Sequence, residues 1–287
     1  MAKNNNPLAR RTIAVFLAGI FSLGSPVRAA ELKPDTAAAF ERYVRLTQAQ
    51  VDAELARGEP YLWVDAQPEA QRAAYHAELR KGNVVVERLE TLDQGRHIEV
   101  PDGLIHHWTG TAFIPGATLA QTLAFMEDYD HKVDYFSPDI QRSKILRHER
   151  DDFFVLLRFY YKKVITTVID TDQEVHYHVV DKTHAWSRSR ATRIQEVDNA
   201  GRSDERLETP GHDRGFLWGM NTYWRFEEKD SGTYIECQSV SLTRDIPTGL
   251  GWMIGPFVTS VPRESLTFTL TTARKAELQR ISAQPAN

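Results

Sequence analysis

Apolar positions change their spacing along the chain, and the changes mark out its elements. Over residues 35–80 Ala37, Phe40, Val44 and Leu46, and then positions 51–55, carry a helical pattern that Gly58-Glu59-Pro60 breaks. A second helical piece covers 69–79 and stops at Lys81-Gly82. Beyond Gly82 the period falls toward two. Residues 84–89 and 98–100 read as short strands around a turn at Asp93-Gln94-Gly95, and 104–113 as a longer strand stopped by Pro115-Gly116. Leu119, Leu123 and Met126 then space out one more amphipathic helix, which runs into the aromatic segment 129–136 and ends before Pro138.

A long β-rich region follows, with strands expected at 144–147, 153–169, 175–180, 185–197, 221–228 and 233–243. Polar turns at 149–152, 170–172 and 229–232 are expected to join several of them as hairpins. Residues 198–219 form the longest irregular stretch, and such a loop is open to two readings, a functional mouth or a surface excursion. The strand over 153–161 (FFVLLRFYY) is apolar on both faces apart from Arg158, so both faces need cover, and the N-terminal helices are the candidate.

Residues 260–278 (SVPRESLTFTLTTARKAEL) fit two patterns. Leu266, Phe268 and Leu270 alternate as in a strand, yet Leu266, Leu270, Ala273 and Glu277 share one stripe of a helix. Pro262 decides for the helix: it suits a first turn, with Ser260 or Val261 as cap, and fits a central strand badly. The apolar stretch 249–261 reads as a short helical turn leading into it. Helices first, then a strand, a helix, a meander of antiparallel strands and a closing helix make an α+β fold.

At 287 residues and 41% hydrophobic, the chain has ample material for a core. Residues 1–29 are set apart. Lys3, Arg10 and Arg11 precede the apolar run 12–24, and Val27-Arg28-Ala29 is an A-x-A-like cleavage site, the pattern of a Sec-type signal peptide cleaved near Ala29. A periplasmic or secreted location is expected. Losing that leader removes four basic residues and no acids, taking the formal charge from -4 to -8. A charge of that sign disfavours nucleic-acid backbones. The single cysteine, Cys237, has no intramolecular disulfide partner and reads as a small buried residue.

Three stretches carry a family likeness: 118–138 (TLAQTLAFMEDYDHKVDYFSP), 223–247 with its Gly232-Thr233-Tyr234-Ile235-Glu236 hairpin, and 251–277. Over residues 83–281 the chain resembles the START-like helix-grip (SRPBCC) superfamily, which includes polyketide cyclase/dehydratase, coenzyme Q-binding and birch-pollen-allergen-like proteins. Through Leu104-Ile105-His106-His107-Trp108 and Arg244-Asp245-Ile246-Pro247 it is similar to secreted bacterial START-like proteins of undefined activity. The resemblance implies a curved antiparallel sheet gripping a long C-terminal helix, with an apolar cavity between them and ligand binding as the common property. The expected organisation is a leader at 1–29, a helical segment at 30–82, the helix-grip domain at 83–281 and a disordered tail at 282–287.

No HExxH, CxxC, phosphate loop or G-x-S-x-G elbow is present. His106 and His107 are adjacent, so they point to opposite faces of a strand. His176 and His178 share a face, but Val175, Tyr177 and Val179 form the apolar side, which leaves the histidines toward solvent. Neither a metal nor another cofactor is expected. The 229–232 turn sets Arg225 opposite Glu236 and Phe226 opposite Ile235. Arg225, Glu236, Tyr223 and Gln238 then share one face, and Trp224, Phe226, Ile235 and Cys237 the other.

Two facings are open for this hairpin: the aromatic face inside with an exposed ion pair, or the ion pair in the cavity, orienting a polar head group or tuning an acid. Ser187 and Ser189, with Ala185 and Ala191, make a small-residue face that leaves room for a ligand. Tyr129 and Tyr135 are candidates for its mouth. The expectation is binding, and transport, of a hydrophobic or amphipathic small molecule, with transient membrane contact through 249–261. A cyclase or dehydratase using Glu236, Arg225 or Tyr160, and an interaction protein with a filled cavity, are the alternatives.

Overall fold

In the order of the chain the elements are β1 (Ala30–Glu31), α1 (Pro34–Arg57), α2 (Glu69–Arg80), β2 (Val85–Arg88), β3 (Gly103–Pro115), α3 (Leu119–Met126), α4 (Lys132–Phe136), β4 (Ile140–Glu149), β5 (Asp152–Lys162), β6 (Thr166–Val179), β7 (His184–Asp198), β8 (Arg206–Leu207), β9 (His212–Asp213), β10 (Gly219–Lys229), β11 (Gly232–Arg244) and α5 (Gly251–Ala283). The structure, a computed structural model, describes residues 30–162, 166–246 and 251–283, with backbone alone over 251–259. The leader read at 1–29 lies outside the described residues, as do residues 247–250 and 284–287.

One antiparallel sheet runs in the order β2-β3-β11-β10-β7-β6-β5-β4, with β8 paired to β7. The β10–β11 hairpin is as tight as β4–β5, where Glu149 pairs with Asp152. Lys229 pairs with Gly232, so the loop is the two residues Asp230 and Ser231, both at positive φ (55° and 58°). That is one rung tighter than the sequence predicts, and it is the loop that matches strand twist. The register is as expected, with Arg225 opposite Glu236 and Phe226 opposite Ile235.

The concave face takes α5. Leu266, Leu270 and Ala273 of the stripe read in the sequence, joined by Ala276, share one buried cluster with Ala112, Ile114, Ile235 and Cys237. A fully buried leucine contributes about 1.5–3 kcal/mol. Close approach is set by Gly110 on β3, where an added Cβ would lie 2.6 Å from Leu270 Cδ1. The threonines that make this segment resemble a strand are satisfied within the helix: Thr267 Oγ1 donates to Arg263 O and Thr269 Oγ1 to Ser265 O, each at 2.9 Å.

The convex face is covered as well. Phe40, Tyr43, Val44 and Val51 of α1 pack on Tyr223, Val240 and Leu242. Tyr61, Leu62, Val64 and Leu79 pack on Phe113, Tyr234 and Val85. Residues 34–80 are therefore a third layer of the structure, and the sheet is buried on both sides where it meets them.

Several expectations are corrected. The run 153–169 is two strands, β5 and β6, and the proposed turn at 170–172 lies within β6. Its acids are held by cross-strand arginines: Arg158 binds Asp170 at 2.6 and 2.8 Å, and Arg193 binds Asp172 at 2.7 and 2.9 Å. Paired charges of this kind let a polar triplet stay in a strand. The segment 98–100 forms no strand. α1 and α2 do not cover the outer face of β5; there the Arg147 guanidinium stacks 3.6 Å from the Phe154 ring centroid, and Arg158 is pinned by Asp170 and Glu205.

Pro262 is interior to α5, which begins at Gly251, and its missing N–H removes one backbone donor from the helix there. Ser282 and Ala283, read as tail, are helical. No described helix is long and apolar enough to cross a membrane.

Candidate functional site

Where α5 meets β3, leucines close onto Gly110 and Ala112. Farther across the sheet the facing side chains are short: Ser187 and Ser189 on β7, Thr222 on β10, and Ser239 and Ser241 on β11, opposite Ser265, Thr269 and Ala273 of α5. Short side chains on both walls leave the helix unable to fill the space, and a cavity of about 580 Å³ remains. Leu157, Phe159 and Tyr161 of β5, Ile169 and Val175 of β6, and Trp224 of β10 complete its apolar walls.

Its inner end is built by α3 and the segment after it. Thr118 and Gln121 form a capping box that starts α3, and the chain then delivers Met126, Tyr129, Lys132 and Phe136 to the wall beside Tyr177. The Tyr129 and Tyr177 hydroxyls lie 2.9 Å apart, and Tyr177 also donates to Met126 O at 3.2 Å. Burial raises both phenols well above their ordinary range, so they stay protonated. Lys132 Nζ donates to Phe125 O at 2.7 Å, and burial pulls its amine down to about 7. Behind it Glu277 accepts from Thr122 Oγ1 at 2.7 Å, and burial lifts its carboxyl to about 7. Along the floor Gln173 accepts from Ser189 Oγ at 2.7 Å, while Ser187 Oγ has no hydrogen-bond partner.

The opposite end is rimmed by residues 214–217 and 244–246, with Val261 and Pro262 of α5. Arg214 is fixed there by Glu196 at 2.6 Å and Asp198 at 3.0 Å. Asp213 accepts from Gly215 N at 2.8 Å and Trp218 Nε1 at 2.9 Å, and burial, reinforced by Glu196, raises its carboxyl to about 6. Of the two readings left open for the 198–219 loop, its second half forms the rim of the cavity.

No family model matches the sequence, and no curated protein matches it. Solved structures with similar coordinates include a Thermus thermophilus protein (11% identity, TM-score 0.43, 62% of this chain and 98% of that chain). A STAR-related lipid transfer protein from Xanthomonas axonopodis follows at 14% identity and TM-score 0.42, over 62% and 95% of the two chains. The Zhui aromatase/cyclase from Streptomyces sp. R1128 has 14% identity and a TM-score of 0.39, over 64% and 100%. At these values the likenesses carry no argument about substrate or reaction. The sheet order and the helix laid across its concave face decide the architecture. The fold is a helix grip.

Of the residues singled out in the sequence, Tyr129, Ser187 and Ser189 line the helix-grip cavity. Tyr135 does not; its ring packs edge-on to Phe125 at 5.5 Å. Tyr160 is on the far face of β5 from the lining residues Phe159 and Tyr161.

Arg225 and Glu236 follow neither facing left open for them. The aromatic face is inside, with Trp224 and Cys237 on the cavity, but the ion pair is buried on the convex side under the 3-10 turn Trp63–Ala66 and the residues before it. Glu236 accepts from Trp63 N at 2.9 and 3.0 Å and from Thr111 Oγ1 at 2.9 Å, with Arg225 3.9 Å away. Arg225 also donates to Tyr61 O at 3.0 Å and pairs with Glu54. Burial is the main influence on Glu236 and raises its carboxyl above the ordinary range. The pair is a fastening for the N-terminal layer.

The adjacent histidines do point to opposite faces, and both are buried. His107 meets Tyr43 OH at 2.9 Å and Gln238 at 2.8 Å, and His106 meets Thr243 Oγ1 at 3.0 Å. Burial pushes each imidazole down to about 4. Among the described residues one trio, Glu59, His184 and Glu227, brings three possible ligand atoms within 4.8 Å of one another. It lies on the convex side, where Asp181 holds His184 at 3.0 Å and Lys229 holds Glu227 at 2.7 Å.

Sequence reasoning missed Lys132, although it shares a helical stripe with Tyr129 and Phe136 at spacings of three and four. It also missed Trp224 as a wall, because alternation groups residues without saying which layer they face.

Proposed function

We propose that the protein binds and carries a hydrophobic or amphipathic small molecule in the helix-grip cavity. The observation that carries this reading is the cavity itself, about 580 Å³ between α5 and the sheet, with a predominantly apolar lining in which short hydroxyl side chains leave room. The leader-like residues 1–29 support export to the periplasm or beyond, which makes the ligand one met outside the cytoplasm. The rim formed by residues 214–217, 244–246 and Val261-Pro262 is where a membrane or donor would deliver it. The enzymatic alternative loses support from its own candidates, since Glu236, Arg225 and Tyr160 are all outside the cavity.

The test is native mass spectrometry of the mature protein from its own compartment, followed by organic extraction. One apolar molecule per chain is the expected result, lost in Ser189→Phe, which fills the floor without touching the convex layer. An empty protein that shows no mass shift with lipid mixtures would overturn the carrier reading in favour of a closed interaction module.

A further inference from the structure

Lys132 is the only lysine among the buried polar residues described, at 6% exposure. An ammonium has three N–H donors, and here one is used, on Phe125 O. Around the nitrogen stand the rings of Phe125, Tyr129 and Phe136, with centroids at 4.6, 5.5 and 5.7 Å. Among the described residues no carboxylate comes within ion-pair distance of Nζ. Asp128, on the segment between α3 and α4, and Glu277, on α5, act on it only at longer range, against Arg280 of α5. A buried cation without a close counter-charge is costly, and burial has drawn this amine to about 7, where half of it is neutral.

The other end of the cavity offers no such opening for an anion. Arg214 is occupied by Glu196 and Asp198, and Arg244 reaches back to Arg214 O at 3.3 Å. Beside them Asp245 adds a negative charge, and Phe216, Leu217, Ile246, Val261 and Pro262 make the rest of the rim apolar. From Ile169 near the rim to Tyr177 beside Lys132, β6 runs about 25 Å at the usual rise of a strand. The shape and the placement of charge therefore suit a long apolar chain with one acidic end, that end innermost.

We propose that Lys132 is the anchoring group for a ligand carboxylate, so that the carried molecule is a long-chain carboxylic acid bound head-inward with its chain directed to the rim. This rests on the carrier reading. The carboxylate would supply the counter-charge that Lys132 lacks and accept from the two ammonium N–H groups that Phe125 O leaves unused.

The experiment compares dodecanoate with 1-dodecanol, two probes of equal chain length, by isothermal titration calorimetry on delipidated mature protein at pH 7.5–8.5. The wild type is expected to bind the acid at least tenfold more tightly than the alcohol. In Lys132→Met the acid-to-alcohol preference is expected to vanish. Acid binding in the wild type should also take up a proton, read from buffers of different ionisation enthalpy, because a carboxylate beside the amine holds it charged. That uptake should persist in Glu277→Gln and be absent with the alcohol.

Equal affinity for the two probes, or no proton uptake, would overturn the anchoring role and leave the carrier reading standing. Binding of neither probe would remove both for chain amphiphiles. If Lys132 serves only to clamp Phe125 O, Lys132→Met lowers Tm and leaves the acid-to-alcohol ratio unchanged, which also defeats the proposal. Should that variant fail to fold, the wild-type proton uptake decides alone.

Discussion

Replacing Glu236 by alanine separates two meanings of a buried acid in a ligand-binding fold. The carboxylate holds the backbone of Trp63 and the hydroxyl of Thr111, both at 2.9 Å, and faces Arg225 at 3.9 Å. Each hydrogen bond to a charged acceptor contributes about 1.5–3 kcal/mol, and the variant leaves the Trp63 N–H and part of the Arg225 charge buried without that partner. The carboxylate's own desolvation, which raises its pKa, is relieved and offsets part of the loss. A net cost of about 3–5 kcal/mol is expected.

Glu236→Gln keeps one acceptor oxygen for Trp63 but loses the charge and turns the second oxygen into an NH2 donor, so it is expected to cost about 1–2 kcal/mol. The assay is urea unfolding followed by far-UV circular dichroism and tryptophan fluorescence, alongside titration of an apolar probe under native conditions. Affinity for the probe should stay within about twofold of wild type, because the carboxylate faces the N-terminal layer and the cavity lies across the sheet. Glu236→Ala that is as stable as wild type, or that remains stable but loses tenfold in probe affinity, would refute this placement.

Three further outcomes are expected. His106 and His107 have folded pKa values depressed to about 4 against 6.5 unfolded. Their contribution is therefore present above pH 6.5 and lost as pH falls toward 4, by up to about 3 kcal/mol each, and His107→Gln should flatten part of that slope in pH-dependent urea midpoints. Gly110→Val places a Cβ 2.6 Å from Leu270 Cδ1 and should cost about 1–3 kcal/mol, with partial recovery in the Leu270→Ala background by a double-mutant cycle; additive effects would mean that α5 does not touch this position. Arg158→Met leaves the Asp170 carboxylate buried without its bidentate partner and should cost about 3–5 kcal/mol, much of it regained by adding Asp170→Asn; a loss under 1 kcal/mol in thermal unfolding would contradict the pairing.

Local patterning carried much of the architecture. The stripe Leu266, Leu270, Ala273, Glu277 identified α5 against the competing strand pattern, since only a helix puts all four on one side, and they are all buried. Pairing across β10–β11 followed from alternation and turn length, because a slip of one residue would turn every side chain over. The small-residue face at Ser187 and Ser189 marked where space would be left.

Polar runs misled where distant charge compensated them. The 170–172 triplet looks like a turn until Arg158 and Arg193 are placed opposite it, and both arginines are supplied by neighbouring strands.

The sequence by itself determined which residues share a face, where the first helix breaks, and that a helix follows the last strand, because each of these depends on spacings within a few residues. Only the tertiary structure decided which layer each face meets. The β10–β11 hairpin is buried on both sides, its aromatic face by the cavity and its Arg225–Glu236 face by the N-terminal layer, so burial does not distinguish the two by composition. That choice rests on contacts more than 150 residues apart in the chain, such as Trp63 to Glu236 and Tyr61 to Arg225. No local periodicity reports such contacts; they form when the three layers pack together.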